Sequence, residues 1–95
     1  MQHKDKVNRL IDELMLTDNV EKMLSVVKDK IDCIGIVKGD YDRLEQYYLY
    51  AQLYELLYSL KDKRIGFVKA GLMRFRDQEV PIVCEILNEI SMKII

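Results

Sequence analysis

Few residues in this chain could do chemistry alone. There is one histidine, there are two cysteines, and three serines fall inside helical patterns. His3 lies in a terminal segment expected to fray, so it has no expected partner for acid–base, nucleophilic or metal chemistry. Ser25, Ser59 and Ser91 have no adjacent base to activate them. Cys33 and Cys84 lack a second Cys or His at ligand spacing, so neither a zinc site nor a disulfide framework is indicated. Both read as small buried hydrophobes.

Carboxylates stand close together in Gly39-Asp40-Tyr41-Asp42 followed by Glu45. A calcium loop needs further ligands at fixed positions, a central glycine and a distal Glu, and these do not follow. Helix capping is the better reading of Asp40 and Asp42. Gly66 and Gly71 stand within a helical pattern without the loop motif that cradles phosphate. No catalytic residue, metal or cofactor is predicted, and the chain is not expected to be an enzyme. A carboxylate-based enzyme or ligand-binding bundle is the third of three functional readings.

The stretch 61–76 carries Lys61, Lys63, Arg64, Lys69, Arg74 and Arg76 against one acid, Asp62. These six residues are the candidates for phosphate contact, and a nucleic-acid-associated regulator is the second reading. A solvated basic helix face explains them more simply, with Lys61 and Lys63 offsetting the negative end of a helix dipole. A helix-turn-helix would need a polar, basic second helix, whereas 80–94 is apolar with Lys93 as its base, so nucleic-acid binding is disfavoured.

The least ordinary segment is Leu44 to Leu60, LEQYYLYAQLYELLYSL, with five of the six tyrosines. At about 100° per residue, Leu49, Leu53, Leu56, Leu57 and Leu60 share one face. Tyr47, Tyr50, Tyr54 and Tyr58 share a second, and Glu45, Gln52, Glu55 and Ser59 form a polar stripe. A surface helix needs an apolar arc of only about 100°, so this helix must be covered on more than one side. Either neighbouring helices bury the tyrosines, or Tyr47, Tyr50, Tyr54 and Tyr58 are a contact surface for another chain. A base-stacking platform would interleave the rings with Lys and Arg, which here stand only at the helix ends.

These residues must be positioned by helices. Val7, Leu10, Ile11 and Leu14 keep i, i+3, i+4, i+7 spacing, and so do Val20, Met23, Leu24, Val27, Ile31 and Ile34. Asp18 with Glu21 has the form of a capping box, Gly35 or Gly39 can stop the second helix, and the run 34–37 reads as loop. Phe67, Val68, Gly71, Leu72 and Phe75 form the fourth face. Val83, Ile86, Leu87, Ile90 and Ile94 form the fifth, with Asp77 as its expected cap and Pro81 tolerated in its first turn. The predicted fold is all-α, a compact bundle of about five helices around a long central Tyr/Leu-rich helix, one domain over 1–95. The expected helices are 4–16, 18–34, 41–61, 64–76 and 78–94.

With 15 Lys plus Arg against 16 Asp plus Glu, the net charge of -1 creates no long-range field toward nucleic acid or membrane. The opening MQHKDKVNRL is polar where a secretion signal needs an apolar run, and no apolar stretch approaches membrane-spanning length, so a cytoplasmic protein is expected. The leading functional reading is a small helical interaction module, of the regulator, adaptor, inhibitor or immunity type. It would bind another protein or itself, self-associating through the tyrosine face of the third helix.

Overall fold

The computed structural model describes residues 3–35 and 38–94, with side chains described as far as Ile90. It is an all-α bundle of five helices: α1 Lys4–Leu14, α2 Val20–Cys33, α3 Tyr41–Ser59, α4 Ile65–Asp77 and α5 Val83–Ile94. The bundle is elongated, 44 × 24 × 18 Å, and α3 packs against each of the other four helices. Among the described residues, no helix is long and apolar enough to cross a membrane.

The core is built from the predicted stripes. Val7, Leu10, Ile11 and Leu14 of α1 meet Leu49, Leu53, Leu56 and Leu57 of α3 and Leu60 just beyond it, with Val68, Leu72 and Phe75 of α4 completing the centre. Met23 and Val27 enter from α2, while Val20, Leu24, Ile31 and Ile34 are partly buried against the same cluster. Val83, Ile86 and Ile90 come from α5 and Leu87 lies at the margin; the side chain of Ile94 falls outside the described residues. Gly71 permits a close approach between helices. A Cβ there would stand 2.7 Å from Leu60 Cδ1 and 3.2 Å from Ile90 Cδ1.

Several helix ends differ from the expected ones. Asn19, not Asp18, caps α2, its side chain accepting the Lys22 N–H at 3.1 Å. Asp18 instead pairs with Lys69 Nζ at 2.6 Å. Asp40 caps α3 as predicted, accepting the Arg43 N–H at 3.1 Å. Gly39 takes a left-handed φ of 86° in the turn that leads into α3, so it serves the start of that helix and not the end of α2. Asp77 is the last residue of α4 and does not cap α5, which begins at Val83 and not at 78. There the Gln78 side chain accepts the Ile82 N–H at 3.1 Å, and Pro81 precedes the helix.

Two further expectations are corrected. His3 does not stand alone in a frayed end: it is buried, and Nε2 lies 2.6 Å from Asp42 Oδ1. Tertiary pairing across 39 positions overrides the local tendency of a terminus to fray. Cys33 and Cys84 are exposed, not buried. At about 100° per residue, Cys84 is turned away from the stripe that holds Val83 and Ile86 inside, and Cys33 is off the line of Met23 and Val27.

The next residue, Lys4, is also buried. Its Nζ donates to Asn8 Oδ1 at 2.7 Å and to the Arg76 carbonyl at 2.9 Å, 5.6 Å from the centre of the Phe75 ring. A cation against last-turn carbonyls of α4 is favoured by the helix dipole. Burial, with the nearby Arg76 charge, still lowers the Lys4 pKa.

Candidate functional site

The tyrosines of α3 divide into two groups. Tyr50 is only 7% exposed and belongs to the core, so it is not part of an outer contact face. Its hydroxyl pKa is raised by burial. Tyr54 is partly buried against the core. Tyr47 and Tyr58 keep 38% and 53% of their surface open, and Tyr48 and Tyr41, on the same side, keep 48% and 81%. The helical period explains the division. Tyr50 sits about 60° from Leu53, whereas Tyr47 and Tyr58 are turned more than 100° from that leucine.

The outward arc of α3 therefore runs Leu44, Tyr47, Tyr48, Ala51, Tyr54, Glu55 and Tyr58, with Ala51 at its middle. Its apolar positions 44, 47, 51, 54 and 58 follow the alternating three- and four-residue spacing of a helix–helix seam. Tyr54 and Tyr58 stack with ring centroids 6.3 Å apart and planes inclined by 22°. Lys61 Nζ lies 4.1 Å from the centre of the Tyr58 ring. Tyr58 is thus exposed yet held by contacts on its own helix and just beyond it.

The basic stretch is spread over different neighbours. Lys69 pairs with Asp18, Arg74 with Glu89 at 2.8 Å and Arg76 with Asp12 at 2.9 Å. The Arg76–Asp12 contact is two-pronged, Nε to Oδ1 at 2.9 Å and Nη2 to Oδ2 at 3.2 Å. It lowers the Asp12 pKa and raises that of Arg76. Lys61 is occupied with Tyr58, while Lys63 and Arg64 are exposed at the α3–α4 turn. The six cations do not converge on one surface point.

Two concave features lie among the described residues. An open groove of about 660 Å³ runs along α4, lined by Ile65, Phe67, Ala70, Met73 and Ile90 with Arg64 and Arg74 at its edges. A smaller pocket of about 210 Å³ lies over Tyr50 between α1, α2 and α3. Among the described residues, no three His, Cys, Asp or Glu side chains are grouped to hold a metal ion. His3 and Asp42, which no sequence signal linked, pair side chain to side chain, and the histidine hydrogen bond, with a smaller one from Gln46, lowers the Asp42 pKa. No family model, characterised protein or solved structure matches this chain.

Proposed function

We propose that the chain is a small helical interaction module whose binding surface is the outer arc of α3, and that it self-associates through that arc. The observation behind this reading is the exposure of Tyr41, Tyr47, Tyr48 and Tyr58 on one side of a helix whose other side is core. Together they leave open about as much area as two whole tyrosines, roughly 300 to 550 Å². That is about half of the ~800 Å² each partner gives to a standard interface, and Leu44, Ala51 and neighbouring side chains add to it. Tyr58 is already positioned by Tyr54 and Lys61, so little side-chain freedom is lost when a partner covers it.

Charge favours an antiparallel pair of α3 helices crossing at Ala51. In a parallel pair Glu55 would face Glu55 and Lys61 would face Lys61, which is unfavourable. Turned antiparallel, Glu55 of one copy faces the hydroxyl end of Tyr47, Leu44 faces Tyr58, and Lys61 comes to the level of Tyr41. The small Ala51 lets the helix axes approach closely.

The test is light scattering at roughly 100 μM, suited to a micromolar contact of this size, combined with cysteine cross-linking in a Cys33→Ser, Cys84→Ser background. Twice the monomer mass is expected, with Ala51→Cys forming a cross-chain disulfide and Tyr41→Cys forming none. A monomer whose Tyr48→Glu, Tyr58→Glu variant retains the same binding partners as the parent would remove the proposal.

A second reading is favoured by the α4 groove, whose size and apolar lining suit a small apolar ligand. An apolar fluorophore that shifts only the methyl resonances of Ile65, Met73 and Ile90 would support it.

A further inference from the structure

The pocket over Tyr50 combines features that the tyrosine-face reading leaves unused. Its wall is Lys6, Arg9 and Glu13 from α1 and Lys30 from α2, with Leu10 and Tyr50 beneath. Lys6, Arg9 and Glu13 recur every three or four residues, which puts them on one side of α1. Lys30 belongs to a different helix, so packing and not local sequence brings it to the same cavity. Three cations against one carboxylate is a local excess of positive charge in a chain whose net charge is -1.

Tyr50 adds an independent observation. The residue is more than nine-tenths buried and lines this pocket. Its hydroxyl has no hydrogen-bond partner among the described residues. Among the described residues, the buried side-chain atoms without a partner are His3 Nδ1 and Glu45 Oε1; the Tyr50 hydroxyl reaches solvent, where its O–H can donate to an entering acceptor. Burial raises its pKa, which keeps the proton in place for donation. The three cations around it are donors only, Arg9 with a planar fork and Lys6 and Lys30 with compact ammonium heads, while Glu13 is the one acceptor in the wall.

We infer that this pocket is an oxyanion site for a phosphoryl group, held by Arg9, Lys6 and Lys30 with the Tyr50 hydroxyl as the neutral donor at its floor. A phosphoryl group presents several strong acceptor oxygens and up to two negative charges, which matches an Arg fork flanked by lysines. It also relieves the repulsion among the three cations. Glu13, one helical turn beyond Arg9, is the acid such a ligand would face. The cavity of about 210 Å³ has room for one phosphoryl group and water, not for an extended polyanion.

The probes are inorganic phosphate and glycerol 3-phosphate, titrated at low salt with chloride at matched ionic strength as control and followed by amide and side-chain resonances. Saturable shifts at Arg9, Lys30 and Tyr50 with both probes are expected, and equal affinity for the two identifies the phosphoryl group alone as the recognised part. Tighter binding of glycerol 3-phosphate identifies an organic phosphate as the source. Tyr50→Phe keeps the buried ring and is expected to weaken binding about tenfold. Arg9→Gln is expected to abolish it at the same probe concentrations, with the thermal midpoint of the unliganded protein unchanged. No saturable shift with either probe, or shifts that Arg9→Gln and Tyr50→Phe leave unaltered, would overturn the assignment. Because Arg9 and Lys30 lie apart from the outer arc of α3, the result is independent of whether the chain self-associates.

Discussion

Tyr58 lies against Tyr54, one helical turn before it, and Lys61 Nζ stands 4.1 Å from the centre of the same Tyr58 ring. These contacts order an aromatic side chain that has 53% of its surface in water. An exposed cation–aromatic contact of this kind contributes about 0.5 to 1 kcal/mol. Lys61→Ala should therefore move the thermal midpoint by only a few degrees while weakening self-association several-fold. By contrast, Leu53→Ala opens a cavity in the centre of the core and should cost about 2 to 5 kcal/mol. Thermal circular dichroism and sedimentation on the two variants measure the contrast.

Gly66 and Gly71 lie in the same helix and should respond oppositely to alanine. At Gly66 an added Cβ meets nothing within 4 Å, so Gly66→Ala should stabilise by up to about 1 kcal/mol through the lower backbone entropy of the unfolded chain. At Gly71 the same atom would overlap the buried Leu60 side chain and crowd Ile90. The repacking cost of about 1 to 3 kcal/mol exceeds the helix-propensity gain, so Gly71→Ala should be destabilising. Urea unfolding midpoints decide both signs.

Acid should weaken the fold in part through two identifiable carboxylates. Hydrogen bonds from Arg76 and His3 hold the Asp12 and Asp42 pKa values below the ordinary carboxylate range. A depressed folded-state pKa contributes stability that is fully present above the unfolded value, about 3.9 for Asp. That contribution is lost as pH falls through the lower folded value. The urea midpoint should hold steady from neutral pH to about 5 with respect to these two groups and decline below about 4. Asp12→Asn, Asp42→Asn should lower the plateau and flatten that decline.

Both thiols should react in the folded state. Cys33 and Cys84 are exposed at the end of α2 and the start of α5, and access controls thiol modification alongside thiolate content. Two equivalents should react with an aromatic disulfide reagent in native buffer, without the lag that global opening would impose. A slow phase coinciding with unfolding would place either thiol inside.

The residue pattern alone determined the helices and most of the core, because periodicity is a property of neighbouring positions. Val7, Leu10, Ile11 and Leu14 occupy one side of α1 whatever that side packs on, and the leucines of α3 are aligned for the same reason. Every leucine assigned to that face is buried. Helix ends were less legible, because Asp18 and Asp77 each have a local pattern suited to capping, yet one pairs with Lys69 and the other closes α4.

Only the tertiary structure decided what those faces meet. Arg76 and Asp12 are 64 positions apart, and His3 and Asp42 are 39 apart; both pairings depend on how α1 lies against α4 and α3. The same packing separated four tyrosines that had shared one helical face, placing Tyr50 inside while leaving Tyr47 and Tyr58 open. It also brought Lys30 to Lys6 and Arg9 around one pocket that Tyr50 lines. Side-chain spacing along a helix is set by its 3.6-residue turn, but proximity between helices is set by crossing order and angle, which no run of neighbouring residues encodes.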